Sequence, residues 1–212
     1  MQRGAIILCG GGSTRMGRDK ATLPFGPELM LQRVVRLVSE AVARDRIVVV
    51  AAPGQELPDL PNKVQLARDA HKNRGPLEGL AAGLRTLSDQ VEAVYATGCD
   101  VPLLRPLFIK RMFSQMDEYD IAVPRDGKFH HPLAAVYRTS VLASVEQLLD
   151  ADRLRPFFLF QEVRTREVPI DQLRAVDPEL SSLANCNDEQ AYRRALQQAG
   201  AEETTNLTNL HE

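Results

Sequence analysis

The sequence predicts an α/β fold of three layers, in which helices cover both faces of a mainly parallel sheet. Two observations support this. Short apolar runs alternate along the chain with longer stretches of helical period. The runs are also continuously apolar instead of alternating between apolar and polar residues, which is typical of strands buried on both faces. Such strands need helices on each side, so the sequence favours a sheet between two helical layers.

Each element follows from its own pattern. The predicted strands are short runs rich in β-branched and other apolar residues, and they occupy residues 5–9, 46–51, 63–67, 93–97, 120–123 and 132–137. The predicted helices repeat apolar residues at intervals of three and four, and they occupy residues 29–42, 78–87, 104–116, 140–149 and 191–199. Asn187 and Asp188 are suitable caps for the last of these helices.

Length and composition limit the possible classes of protein. A chain of 212 residues fits one domain, expected over residues 1–200, and the aperiodic residues 201–212 are expected to form a flexible tail. A net charge of −2 disfavours a nucleic-acid binder, and no apolar run is long enough to span a bilayer. The three cysteines are distant in sequence and form no Cys-x-x-Cys pair, so we expect no disulfide and a cytoplasmic protein.

The residues from Leu8 to Lys20 are the most informative stretch. Gly10, Gly11 and Gly12 directly follow the first strand, where successive N–H groups of a glycine-rich segment can bind an anion. Arg15 and Lys20 add two cations suited to a polyphosphate. A glycine-rich turn with solvated charges is the simpler interpretation, but its position and composition together favour nucleotide binding.

Common nucleotide-binding fingerprints do not fit this stretch. A Walker loop requires a glycine before a Lys–Ser/Thr pair, which is absent here. Gly12 and Gly17 are separated by four residues, so the dinucleotide pattern Gly-x-Gly-x-x-Gly also fails. A Rossmann oxidoreductase is therefore disfavoured.

Two aspartates follow predicted strands. Asp100 lies just past the strand at 93–97, and Pro102 stops that strand from continuing. A carboxylate at this edge is a natural Mg²⁺ ligand beside phosphate oxygens, although it could instead cap a helix. Asp69 follows the strand at 63–67 and on its own would equally suit a turn.

Four segments together resemble the molybdenum cofactor guanylyltransferases, a family of GT-A-like nucleotidyltransferases. They are Leu-x-Gly-Gly-x-x-x-Arg-Met-Gly-x-Asp-Lys at 8–20, Gly-Pro-Leu-x-Gly-Leu at 75–80, Asp-x-Pro at 100–102 and Asn-Cys-Asn-Asp-Glu at 185–189. The resemblance implies a Rossmann-like fold of the nucleotide-diphospho-sugar transferase type. It also implies transfer of GMP from GTP to the terminal phosphate of molybdopterin or its molybdenum-loaded form, with Mg²⁺ as cofactor and pyrophosphate as product.

The resemblance also implies roles for individual residues. Lys20, Arg15 and Asp100 are the expected catalytic residues, and Asp100 is the expected metal ligand. The nucleotide is expected to contact Leu8, Cys9, Gly10, Gly11, Gly12, Lys20, Asp69 and Asp100. His131, Asn185 and Asn187 are candidates for the pterin side, although a structural role for His131 and a helix cap at Asn187 stay open. Transient contact with cofactor-supplying proteins or molybdoenzymes is a further implication.

The sequence departs from the family in the loop after the second strand. It reads Ala-Ala-Pro-Gly-Gln at 51–55, where the family commonly has an asparagine that helps to bind the nucleotide, and Gln55 or backbone groups are possible substitutes. Two alternatives therefore stay open. One is a related nucleotidyltransferase that uses CTP or another phosphorylated acceptor, and the other is a non-catalytic nucleotide- or cofactor-binding protein.

Overall fold

Strands and helices alternate along the chain. The structure is a computed structural model that describes residues 1–10, 19–69 and 74–208. Within these ranges the strands are β1 (Arg3–Leu8), β2 (Pro24–Phe25), β3 (Glu28–Leu29), β4 (Ile47–Ala51), β5 (Gln65–Arg68), β6 (Ala93–Gly98), β7 (Ile121–Asp126), β8 (Phe129–His130), β9 (Ala134–Arg138) and β10 (Thr165–Pro169). The helices are α1 (Met30–Ser39), α2 (Pro76–Leu87), α3 (Pro106–Phe113), α4 (Leu142–Asp150), α5 (Pro156–Glu162) and α6 (Glu189–Thr208).

One sheet organises the molecule, with the strand order β10-β7-β9-β6-β1-β4-β5 and β8 paired to β7. β1 is parallel to both of its neighbours, β4 and β6, and β5 is parallel to β4. β9 runs antiparallel to β6 and β7. The short strands β2 and β3 form a separate antiparallel pair. The predicted mainly parallel sheet is confirmed.

The two faces of the sheet carry separate apolar clusters, as continuous apolar strands require. Ala5 and Ile7 of β1 pack into one cluster with residues of α1 and α3, whereas Ile6 and Leu8 pack into the other with residues of α2 and α4. Helix α2 lies very close to β1, because a Cβ built on Gly83 would lie 2.6 Å from Ile6 Cγ2. These clusters confirm the three layers.

A third, smaller cluster attaches α6 to the rest of the domain. Phe25, Leu103, Cys186 and Ala195 are buried in it, together with other apolar residues around β2 and α6. This packing holds the segment before α6 against the carboxyl edge of the sheet. The position of that segment matters for the site described below.

The structure contains elements that the sequence did not predict, and the longest of them lie in the C-terminal third of the chain. The sequence assigned no element to residues 151–185, but the structure contains α5 and β10 there. β10 is an edge strand whose only buried residue is Val168, so it lacks the apolar run that identifies the central strands. Helix α6 continues through Thr208, past Gly200, where no helix was expected. That residues 201–212 form a flexible tail stays a prediction.

The parallel strands bring their carboxyl ends to one edge of the sheet. Cys9 follows β1, Ala52 follows β4, Asp69 follows β5 and Cys99 follows β6. Ligands of open α/β sheets bind at this edge. None of the described helices is long and apolar enough to cross a membrane.

Candidate active site

Lys20 and Asp100 form an ion pair at the carboxyl edge of the sheet. Lys20 Nζ donates to Asp100 Oδ2 at 2.7 Å and to Asn187 Oδ1 at 2.8 Å. The side chain of Lys20 is 19% exposed and that of Asp100 is 13% exposed. Because little water screens the pair, its charges act strongly on any ligand that enters the edge. The structure thus brings together three residues that the sequence singled out.

Local structure determines where each of the three residues lies. Lys20 begins a short 3-10 turn (Lys20–Thr22) that Asp19 caps, since Asp19 Oδ1 accepts from the Ala21 N–H at 2.9 Å. Asp100 lies two residues past the end of β6, and its carbonyl accepts from the Cys186 N–H at 2.8 Å. That last bond ties the segment before α6 to Asp100.

Asn187 does not cap the last helix. Asp188 performs that function, because its Oδ1 accepts from the Ala191 N–H at 2.8 Å. The amide oxygen of Asn187 instead accepts from Lys20. Asn185 is exposed, and its carbonyl accepts from the Asn187 N–H at 3.0 Å.

The carboxylate of Asp100 suits a divalent cation of the Mg²⁺ type. Its Oδ2 accepts from Lys20, whereas Oδ1 has no hydrogen-bond partner among the described residues. A Cβ built on Gly98 would lie only 2.5 Å from Oδ1, so the carboxylate occupies space that any larger residue would fill. No group of three or more acidic, histidine or cysteine side chains suited to a metal occurs within the described ranges. Mg²⁺ is commonly held by one or two carboxylates, waters and substrate phosphates, so the residues fit it.

A second carboxyl, that of Asp69, lies on the other side of β1. It lies between two glycines: a Cβ on Gly10 would be 2.9 Å from Asp69 Oδ2, and a Cβ on Gly79 would be 3.2 Å from Oδ1. Oδ1 is buried and has no hydrogen-bond partner within the described residues. Burial, and to a smaller extent the Glu78 carboxylate, raise the pKa of Asp69 to about 6. This carboxyl thus has one buried oxygen that no group in the described residues satisfies.

Leu8 and Cys9 line the end of β1. Leu8 packs against α2, since a Cβ on Gly79 would lie 2.9 Å from Leu8 Cδ2. A hydrogen bond with the Cys99 thiol, together with burial, raises the pKa of Cys9 well above its usual value. The thiol of Cys9 therefore stays neutral near pH 7 and is a poor nucleophile. Cys9, Cys99 and Cys186 are all free and buried.

His131 lies at the same edge, shortly before β9. Burial lowers the pKa of His131, which therefore favours the neutral ring. No hydrogen bond joins it to Lys20, Asp100 or Asn187 within the described part of the chain. The neighbouring His130 instead contacts Glu167, with Nε2 and Oε1 2.7 Å apart. The two histidines thus have different surroundings, as expected for adjacent residues of an extended segment.

The structure adds two residues to the site in a role that the sequence did not indicate, and it does not describe three of the predicted ones. Gly11, Gly12 and Arg15 lie outside the described residues, so their contacts with phosphate stay predictions. Asp19 and Gln55 hydrogen-bond to each other beside Lys20, at 2.7 Å. Neither was predicted in this role, because no local pattern indicates which distant residue a lone glutamine will contact.

Comparison with known proteins identifies the family. The model of the MobA-like NTP transferase domain matches residues 5–167. The chain belongs to this family. The resemblance in the sequence is thereby confirmed, and the protein is a nucleotidyltransferase.

Relatives of the same kind cover nearly the whole chain. A protein of Mycobacterium avium named probable molybdenum cofactor guanylyltransferase is 37% identical over 95% of this chain and 98% of its own length. A protein of the same name from Pelotomaculum thermopropionicum is 34% identical over 83% of each chain.

Solved structures share the fold at low identity. Molybdopterin-guanine dinucleotide biosynthesis protein A from Archaeoglobus fulgidus has a TM-score of 0.76 at 19% identity, over 95% of this chain and 100% of that one. A nucleotidyl transferase from Methanothermobacter thermautotroptrophicus has a TM-score of 0.70 at 17% identity, over 93% and 97% of the two chains. The predicted fold class is confirmed.

Proposed function

We propose that this nucleotidyltransferase transfers GMP from GTP to the terminal phosphate of molybdopterin, which yields the guanine dinucleotide cofactor and pyrophosphate. The observation that carries the proposal is the partly buried ion pair of Lys20 and Asp100 at the carboxyl edge of the sheet. It occurs in a chain that is 37% identical, over nearly its full length, to a protein named as a guanylyltransferase.

The reaction needs little covalent chemistry from the protein. The attacking group is a phosphate oxygen, which is already ionised near pH 7, so no strong base is required. Catalysis then depends on holding the reactants in line and on neutralising the charge of the triphosphate. The neutral thiol of Cys9 agrees with a mechanism without a protein nucleophile.

Lys20 and Asp100 divide the task of neutralising charge. The ammonium group of Lys20 has three N–H donors, of which two contact Asp100 and Asn187. Among the described residues the third has no acceptor, so it can serve a phosphate oxygen of GTP or of the leaving pyrophosphate. Asp100 Oδ1 would hold Mg²⁺, which when bound supplies a Lewis acid for the phosphate oxygens.

The substrates are expected to lie on opposite parts of this edge. In this arrangement Asp69 accepts a hydrogen bond from the nucleoside part of GTP, since its buried Oδ1 lacks a partner in the described residues. His131, Asn185 and Asn187 remain candidates for the pterin side. Arg15 and the glycines at 10–12 remain candidates for the phosphates.

The direct test is pyrophosphate release from each of the four NTPs, with and without molybdopterin and with Mg²⁺ added or chelated. We expect release only with GTP, molybdopterin and the metal together. Release with CTP would instead assign a cytidylyl transfer. Binding of GTP without release from any NTP would indicate a carrier and would contradict the proposal.

A further inference from the structure

The side chain of Gln55 joins three segments of the chain beside the site. Its Nε2 donates to the Cys9 carbonyl at 3.2 Å and to Asp19 Oδ2 at 2.7 Å, and its Oε1 accepts from the Ala52 N–H at 3.0 Å. The orientation of the amide follows from its partners, because the Cys9 carbonyl and the carboxylate only accept and the Ala52 N–H only donates. Both hydrogens of Nε2 are engaged, so this nitrogen does not replace the family's asparagine as a donor to the nucleotide.

Gln55 itself is held firmly. It closes a turn in which its N–H donates to the Ala52 carbonyl at 3.1 Å, and Gly54 supplies the positive φ of 75° that this turn needs. From β5, Arg68 Nη1 donates to the Ala52 carbonyl at 2.9 Å and to the Gln55 carbonyl at 3.1 Å. These hydrogen bonds hold the turn against the sheet, so Gln55 has a defined position relative to Cys9 and Asp19.

The two groups that Nε2 contacts lie on either side of residues 10–18. Cys9 ends the segment that leaves β1, and Asp19 precedes Lys20. The carboxylate of Asp19 accepts from Gln55 through Oδ2 and from the Ala21 N–H through Oδ1. The contact with Gln55 therefore holds the 3-10 turn that carries Lys20.

We infer that Gln55 is a positioning residue, which joins the two chain segments that flank residues 10–18 and so keeps Lys20 opposite Asp100. It acts through Asp19 and does not touch the reacting atoms. The inference rests on the proposed function, since only a reaction that depends on the position of Lys20 makes this support matter for turnover. Misplacement of a group by about 1 Å can cost such a reaction up to about 100-fold in rate.

The test compares Gln55→Ala and Gln55→Glu with a matched control, Gln65→Ala. Gln65 is also a half-buried glutamine, and its Nε2 donates to the Asp45 carbonyl and to Gln90 Oε1, but it lies at the start of β5, away from the site. Thermal melts first establish that each variant is folded.

Two readouts are then taken on each variant. The first is kcat and KM for pyrophosphate release from GTP. The second is the rate at which acetic anhydride acetylates Lys20 without substrates, relative to the exposed Lys110 in the same molecule, measured by mass spectrometry. The second readout reports the position of Lys20 whether or not the proposed reaction occurs.

We expect Gln55→Ala to lower kcat by about 10- to 100-fold with a smaller change in KM, and to speed acetylation of Lys20 several-fold. Gln55→Glu should lower kcat and speed acetylation of Lys20 at least as strongly, because the new carboxylate faces that of Asp19. Gln65→Ala should stay within about twofold of the wild type in both readouts. Unchanged acetylation and kcat in the folded Gln55 variants, or equal changes in Gln65→Ala, would overturn the inference.

A double variant that exchanges the amide and the carboxylate between positions 55 and 19 distinguishes a positioning role of Gln55 from a role in packing. The double variant combines Gln55→Glu with Asp19→Asn, so that the new amide at position 19 can donate to the new carboxylate at position 55. The amide oxygen at position 19 can still accept from the Ala21 N–H. Acetylation of Lys20 should then return part of the way to the wild-type rate, and no recovery would contradict the inference.

The acetylation readout also separates this inference from the proposed function. If the wild type releases no pyrophosphate from any NTP but the Gln55 variants still expose Lys20, the proposed function fails and the positioning role stands. If the wild type transfers GMP but the folded Gln55 variants leave both kcat and acetylation unchanged, the positioning role fails and the proposed function stands.

Discussion

Asp100 and Asp69 lie at the same edge of the sheet, on opposite sides of β1, but in opposite electrostatic surroundings. Asp100 follows β6 and is compensated by Lys20 at 2.7 Å. Asp69 follows β5, where burial and the like charge of Glu78 raise its pKa to about 6. One carboxyl thus has a cation beside it, whereas the other binds its proton more tightly than usual.

This difference indicates which ligand group each side can accept. A carboxylate beside an ammonium group, with one oxygen unused among the described residues, suits a metal ion and its phosphate oxygens. A carboxyl with a buried oxygen and no partner in the described part of the chain suits a neutral N–H or O–H donor, because such a donor satisfies the oxygen without a counter-ion. The proposed arrangement therefore separates a phosphate end from a nucleoside end.

The largest effect on turnover is expected from a substitution of Asp100. Asp100→Asn removes the charge that would hold the metal while preserving the size of the side chain. We expect kcat to fall by at least about 100-fold, with KM for GTP changed much less. Asp171→Asn, at a side chain that is 85% exposed, is a suitable control and should keep full activity. Normal turnover by Asp100→Asn would remove Asp100 from the mechanism.

Asp69→Asn should mainly change KM for GTP, whereas Asp100→Asn should mainly change kcat. Loss of a hydrogen bond from the nucleoside to an ionised carboxylate should raise KM for GTP by roughly tenfold or more, and kcat should change less. Steady-state kinetics near pH 7.5, above the raised pKa of the wild-type carboxyl, give both values. A fall in kcat with unchanged KM would contradict the assignment of Asp69 to the nucleoside end.

The stability of the protein should also depend on the proton of Asp69. Its pKa is about 6 in the folded state against 3.8 in the unfolded chain, so its contribution to stability is full below about pH 4 and is lost as the pH rises through 6. The stability of Asp69→Asn relative to the wild type should therefore be greater at pH 7.5 than at pH 4.5. We expect on the order of 1 kcal/mol, because the carboxyl is partly exposed and water screens it.

Urea unfolding of the two proteins at both pH values measures this difference. Asp150→Asn, at an exposed aspartate at the end of α4, is the control for a general effect of charge. The same difference at both pH values would show that Asp69 does not titrate with a raised pKa.

Much of the fold follows from the sequence, but the edge strand β10 does not. β1, β4 and β6 are continuous apolar runs, so their pattern identifies them and also places Asp100 just beyond a strand end. β10 has a single buried residue over a short span and Pro169 at its end, so no comparable signal exists.

The sequence predicted that candidate residues would lie together at one edge of the sheet, but it did not predict the contacts between them. The strand ends indicate that Lys20 and Asp100 lie at one edge, whereas the bond from Lys20 to Asn187 spans 167 residues and depends on how α6 packs. The bond from Gln55 to Asp19 likewise depends on the geometry of a turn. Local periodicity carries no information about either contact.

The smallest effect separates Asn187 from Asp188, both of which the sequence offered as caps of the last helix. Asn187→Ala removes one of the two acceptors for Lys20, and we expect a few-fold loss of kcat with an unchanged melting temperature. Asp188→Ala removes the cap of α6 and should instead cost about 0.5–2 kcal/mol of stability at nearly full activity. Kinetics and thermal melts of both variants provide the check, and a shared phenotype would contradict the division of roles.

The most direct measurement is a crystal structure with Mn²⁺ and a non-hydrolysable GTP analogue, in which anomalous scattering locates the metal. We expect the metal on Asp100 Oδ1, Lys20 on a phosphate oxygen, and Asp69 within hydrogen-bond distance of the nucleoside. A metal on Asp69, or a nucleotide bound away from both carboxylates, would contradict the division of this edge into a phosphate end and a nucleoside end.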